Sequence, residues 1–208
     1  MPDCGPKSHH DYPWTGCGSN KDLAGCRFSL YPLDRSYEEI ILGALSKVDL
    51  SKIWSQTEAL STVYRGRLSQ VFDCLSAVFV YSFRENLHVC LEAQAILGCP
   101  GDDDTDQPPP LDDLTVNRKD LEGQDFLVKA KLALYPLGRP DYLPIIAQAF
   151  HLAEKADLKP KIIHYATKID GPVLKVFDYL KEVLAITQGK VNHQALHFTV
   201  SVNSPTVE

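Results

Sequence analysis

The chain has 208 residues, 44% of them hydrophobic, enough to bury a substantial core as one larger domain or as two of about 100 residues. Its formal net charge of −6, from 27 acidic against 21 basic side chains, offers no basic footprint for a phosphate backbone, so no nucleic-acid partner is expected. No stretch approaches the ~20 consecutive apolar residues that span a bilayer, and no membrane insertion is expected either.

Residues 1–22 carry Asp3, Lys7, His9, His10, Asp11 and Lys21 and no apolar run, so they cannot form the hydrophobic core of a secretory signal. The expected location is the cytoplasm, with the cysteines at 4, 17, 26, 74, 90 and 99 as reduced thiols, since no two form a C-x-x-C pair. Cys4, His9, His10 and Cys17 have the side chains zinc prefers, but their spacing fits no finger pattern. Gly5, Pro6, Pro13, Gly16 and Gly18 beside them describe an irregular extension, and no metal is assigned.

From residue 23 the pattern becomes regular. Cys26, Phe28 and Leu30 alternate with Arg27, Ser29 and Tyr31, the period of a strand with one covered face. Tyr37, Ile40, Ile41, Ala44, Leu45 and Val48 follow at helical spacing. The segment from Ile53 to Arg65, with Trp54, Thr57, Thr62, Val63 and Tyr64, has the composition of two short strands. Val71, Phe72, Leu75, Val78 and Phe79 make a second helical stripe, and Leu87 to Leu97 returns to alternation. Residues 102–124 open on four aspartates and Pro108-Pro109-Pro110, whose repelling charges and stiff rings mark an extended connector.

The second half repeats the first. Tyr31-Pro32-Leu33-Asp34-Arg35 recurs as Tyr135-Pro136-Leu137-Gly138-Arg139, an offset of 104. At an offset of 105, Thr62, Gly66, Val71-Phe72-Asp73, Leu75 and His88 meet Thr167, Gly171, Val176-Phe177-Asp178, Leu180 and His193. Gly171-Pro172 reads as the start of the last helix, with proline at its first position. The expected fold is α+β: two tandem ferredoxin-like βαββαβ repeats, at 23–101 and 125–206, each an antiparallel sheet with two helices on one face. The opposite face must be buried by something else. A homodimer is expected to do so.

Short motifs recur in order through both halves: Phe28-Ser29-Leu30-Tyr31-Pro32, Ser61-Thr62-Val63, Arg65-Gly66 and Gly98-Cys99-Pro100-Gly101-Asp102, then Ala133-Leu134-Tyr135-Pro136, His164-Tyr165-Ala166, Asp170-Gly171, Asn192-His193 and Asn203-Ser204-Pro205. In these motifs and their spacing the chain resembles the YkoF-type thiamine/hydroxymethylpyrimidine-binding proteins, which are tandem ferredoxin-like repeats that assemble as dimers. The resemblance implies non-enzymatic binding of thiamine or its hydroxymethylpyrimidine moiety, one potential site per repeat, in pyrimidine salvage or transport. The small molecule is then a ligand, and no cofactor is implied.

An aminopyrimidine joined to a cationic thiazolium wants an aromatic wall and a few paired polar groups. On the non-core side, the opening strands offer Ser29 and Tyr31, or Tyr135, and the closing strand offers Glu92 and Gln94. The segment between the second and third strands offers Ser61 and Thr62, or His164, Tyr165 and Thr167, and Asn192 precedes the last strand. For each, burial at an interface or plain solvation is the competing reading. The halves differ at Ser29/Ala133, Glu92/His197 and Arg65/Asp170, so unequal sites are expected. Cys90 stands two residues from His88 on a face that also holds Glu92, which on paper suggests a hydrolase. Ala195 replaces that cysteine in the second half, and the chain is read as a non-enzyme. The alternative function is a protein-interaction module that uses the open sheet faces.

Overall fold

The computed structural model describes residues 23–98, 112–188, 190–191 and 193–206. The N-terminal Cys/His cluster, the aspartate and proline run of the connector, Cys99 and the candidate Asn192 lie outside them.

The first repeat comprises β1 (Leu23–Pro32), α1 (Tyr37–Leu45), β2 (Trp54–Thr57), β3 (Thr62–Arg67), α2 (Leu68–Ser82) and β4 (Val89–Leu97). The second comprises β5 (Leu127–Leu137), α3 (Tyr142–Lys155), β6 (Lys161–Ile163), β7 (Ala166–Pro172), α4 (Val173–Ala185) and β8 (His193–Val202). Both run βαββαβ, as the alternating and helical periods require. One boundary differs from expectation: Pro172 is the last residue of β7, with ψ 140, and α4 begins one residue later. The Val173 amide is held by the Phe126 carbonyl at 3.0 Å, which keeps the chain extended up to the proline.

The two sheets are one. Strand order is β2-β3-β1-β4-β8-β5-β7-β6, with β4 and β8 paired antiparallel from Val89↔Val202 to Leu97↔Gln194. In an isolated repeat β4 and β8 would each be an edge strand with a row of unpaired amides and carbonyls, and pairing them removes both edges. The helices cover one face. Phe28, Leu30, Leu91, Leu132, Leu196 and Phe198 point into that layer, and the aromatic rings of Phe79 on α2 and Phe177 on α4 meet there at 5.8 Å.

Gly66 and Gly171 hold equivalent places in β3 and β7 and are small for the same reason. A Cβ on Gly66 would come 2.8 Å from Ile53, and one on Gly171 would come 2.5 Å from Leu158. In each repeat the apolar residue ahead of the edge strand is seated on the glycine backbone.

The second half of the connector does more than span a gap. Residues 112–121 lie along α2 as a strap. The Asp73 carboxylate accepts hydrogen bonds from the backbone amides of Val116 and Asn117 at 3.0 and 2.9 Å, and from Asn117 Nδ2 at 3.0 Å. Asn117 also exchanges two hydrogen bonds with the Asp49 backbone, while Arg118 reaches across to the second repeat and grips Asp178 through both guanidinium ends at 3.1 and 2.8 Å. With α1, α4, the sheet and the strap around it, α2 is buried from Gln70 through Val80.

That burial makes alkaline pH destabilising. Burial first, then the nearby Asp73 and Asp49 charges, push the Cys74 thiol from 9.0 up to about 12, and burial also raises Cys26 and Tyr64. A native pKa above the unfolded one means that this stabilisation is complete below the unfolded value and is lost as pH rises through the native one. The urea midpoint is expected to be flat up to about pH 8.5 and to fall above it. A midpoint independent of pH up to about 11 would contradict the buried placement of these groups.

Candidate functional site

The predicted site residues fall on opposite sides of the sheet. In β1, odd-numbered residues face away from the helices, and the register sets Ser29 opposite Glu92, Arg27 opposite Gln94 and Tyr31 opposite Cys90. Tyr31 and Tyr135 are each about half exposed on this open face. Ser29 Oγ donates to the Leu60 carbonyl at 3.0 Å, and Arg27 Nη1 donates to Ser61 Oγ at 2.7 Å while also pairing with Glu58. Glu92 meets His197 Nε2 at 3.1 Å across the β4–β8 seam, so the two members of one position at which the repeats differ touch each other.

Thr62 and Thr167 face the other way. Thr62 pairs in register with Phe28 and Thr167 with Leu132, both on the helix-bearing face. These threonines therefore cannot share a pocket with Ser29, Tyr31, Glu92, Gln94 and Tyr135, because the thickness of the sheet separates them. A single pocket combining the opening strand's outer row with these hydroxyls is not what the fold builds. The reason is parity: Ser61 and Thr62 are neighbours in sequence, and adjacent strand residues point to opposite faces.

The helix-bearing face is built alike in the two repeats, with Thr62 buried in the first and Thr167 half-buried in the second. α1 packs on β1 and α2, and α3 packs on β5 and α4, beside the inner side of the edge hairpins. Thr57 pairs with Thr62, the two hydroxyls 3.0 Å apart, and is exposed; Ile162 pairs with Thr167 and is 77% exposed. At the same end of the sheet the first helix of each repeat opens on a tyrosine, Tyr37 or Tyr142, each about half exposed. Sequence periodicity assigns Tyr37 to the core stripe of its helix, and neither tyrosine was picked out for the site. The signal was present, because Tyr37 and Tyr142 stand in the same 105-residue register as the threonines.

The β6–β7 turn is made by His164 and Tyr165, both exposed, and Tyr165 is 99% exposed with a φ of 62. A tyrosine in the left-handed region costs on the order of 1 kcal/mol, and such strain concentrates at ligand clamps. Its ring gains no burial in return. The equivalent position on the β2–β3 hairpin is Leu60, 84% exposed.

A cavity of about 160 Å³ lies elsewhere, between α2, α4 and the strap, lined by Phe72, Asp73, Arg118, Phe177 and Asp178 among others. It borders none of the predicted site residues. Among the described residues, no cluster of three or more His, Cys, Asp or Glu could hold a metal ion, and no helix is long and apolar enough to cross a membrane.

Comparison with known proteins agrees with the repeat. The model of the family described as "YKOF-related Family" matches residues 23–102 and 127–207, one match per repeat. The chain belongs to the YkoF-related family. It is similar to a Bacillus subtilis (strain 168) protein named "Putative HMP/thiamine-binding protein YkoF", 34% identical over 190 residues that cover 91% of this chain and 94% of the relative. Within this YkoF-related fold the two edge hairpins differ in chemistry. The first has the hydroxyl pair of Thr57 and Thr62, and the second has Ile162 beside Thr167 and Tyr165 exposed in its turn. Of the trio Cys90, His88 and Glu92, Cys90 Sγ and His88 Nε2 meet at 3.2 Å, while Glu92 pairs with His197.

Proposed function

We propose that this protein binds thiamine or its hydroxymethylpyrimidine moiety without transforming it, with one potential site per repeat in the groove between the first helix and the edge hairpin. The observation that carries the reading is the repeated arrangement of an exposed tyrosine opening the first helix and a threonine on the inner face of the edge hairpin, at the same end of the sheet in both repeats. A flat aminopyrimidine needs an aromatic wall and a hydroxyl that can donate to a ring nitrogen or accept from the exocyclic amine. The name of the Bacillus subtilis relative supports the same ligand class. A role in pyrimidine salvage or transport, a cytoplasmic location and a homodimer belong to this proposal, and a monomer in light scattering at micromolar concentration would remove the last.

Calorimetric titration with thiamine and hydroxymethylpyrimidine tests it. The double variant Thr62→Val/Thr167→Val should weaken binding about 5- to 150-fold, since each loss leaves a ligand polar atom unpaired in a desolvated groove. Tyr165→Gly should separate binding from folding: relief of the positive φ raises stability by roughly 1 kcal/mol, while loss of the ring weakens the second site. Double-variant affinities equal to the parent's would move the site off the helix-bearing face. A parent that binds neither compound would sink the reading.

A further inference from the structure

The cavity of about 160 Å³ where α2 meets α4 is lined by both copies of the repeated Val-Phe-Asp motif, with Phe72 and Asp73 from the first repeat and Phe177 and Asp178 from the second. The strap adds Thr115 and Arg118 to the same cavity and makes the two aspartates unlike. Asp178 is engaged through both oxygens, one on each guanidinium end of Arg118 at 3.1 and 2.8 Å, and Lys181 Nζ stands 3.7 Å from Oδ1. Asp73 is engaged through one. Its Oδ2 accepts all three hydrogen bonds from Val116 and Asn117, none of them from a charged donor, while Oδ1 is buried with no partner in a residue only 6% exposed.

A buried carboxylate oxygen beside a cavity needs a donor, and nothing described in the protein supplies it. The spare capacity of the cavity is that of an acceptor. Arg118 and Lys181 are already turned to Asp178, and Ser76 Oγ donates its proton to the Asp73 carbonyl at 2.9 Å, which leaves that hydroxyl only lone pairs to offer. An anion would meet the Asp73 carboxylate with no cation left to offset it. A ligand that brings N–H donors and a positive charge supplies what is missing, and Phe72 and Phe177 provide apolar walls for its carbon atoms. Volume limits its size, because a cavity of about 150 Å³ admits a molecule of about six non-hydrogen atoms such as benzene. Thr115 lines the cavity and is exposed, so solvent reaches it from the strap side.

We propose that the cavity under the strap is a binding site for a small primary amine in its protonated form, with the ammonium group on Asp73 Oδ1 and the alkyl part between Phe72 and Phe177. Such a ligand touches α2, α4 and the strap at once, so its binding fastens the strap to both repeats. Thr62 and Thr167 do not border this cavity, and the site stands apart from the thiamine reading.

The test uses the full chain with n-butylammonium as the probe and butyrate, of equal chain length and opposite charge, as the control. Calorimetric titration should give a dissociation constant in the millimolar range for n-butylammonium and no binding of butyrate. Hydrogen exchange in the peptide covering residues 112–121 should slow several-fold in the presence of the amine. Asp73→Asn keeps one oxygen for the strap and turns an NH₂ group toward the cavity in place of Oδ1; it should weaken n-butylammonium binding about ten-fold or more. Thr115→Trp leaves Asp73 untouched and fills the cavity from the strap, and it should weaken binding as much while exchange in the strap without the amine stays at the parent's rate. A parent that does not bind n-butylammonium overturns the proposal, as does equal affinity for butyrate. Parent-like affinity in either variant does the same.

Discussion

Phe79→Ala is expected to lower folding stability by about 3–5 kcal/mol, the range for emptying a fully packed aromatic site. Phe79 is wholly buried on α2 and meets Phe177 of α4 at 5.8 Å and Phe126, just ahead of β5, at 6.4 Å. Its ring is therefore part of the contact between the repeats as well as the core of the first. The surrounding elements are tied by the continuous sheet and by the strap, so they cannot close over the gap. For a chain of this size the loss corresponds to a melting temperature lower by roughly 10 °C or more. Phe79→Leu retains most of the volume and should lose less than half as much. Equilibrium urea unfolding of the two variants checks this, and equal midpoints for parent and Phe79→Ala would contradict the packing described.

The second large effect concerns the strap. Asp73→Ala removes the acceptor of three hydrogen bonds, from two backbone amides and the Asn117 side chain, at a buried to half-buried place beside the α2–α4 cavity. Each orphaned donor costs about 1–3 kcal/mol, and the total is expected near 3–5 kcal/mol after local relaxation. The isosteric Asp73→Asn keeps one oxygen as acceptor and should cost about 1 kcal/mol. A readout specific to the strap comes from limited trypsin digestion, which cleaves after Arg118 and Lys119. Those bonds should be cut much faster in Asp73→Ala, while Asp73→Asn stays close to the parent. Equal cleavage in all three would mean that Asp73 does not hold the strap.

These two residues also mark where sequence and tertiary structure divide the work. Hydrophobic periodicity and the offset between Tyr31-Pro32 and Tyr135-Pro136, or Thr62 and Thr167, determined the element order and the two repeats, because strand alternation and helical stripes are local properties of the chain. Phe79 was legible as core for the same reason. Asp73 read only as part of a repeated Val-Phe-Asp motif, since nothing local reveals that a strap more than forty residues away will donate to it. The fusion of the two sheets at β4 and β8 was likewise invisible: it satisfies edge amides, which every strand sequence possesses alike. For the site, sequence singled out candidates that include both threonines and Tyr165. Only the register could decide that Thr62 and Thr167 lie on the helix-bearing face and Ser29, Tyr31, Glu92 and Tyr135 on the other, because a shift of one residue along a strand reverses every side chain on it.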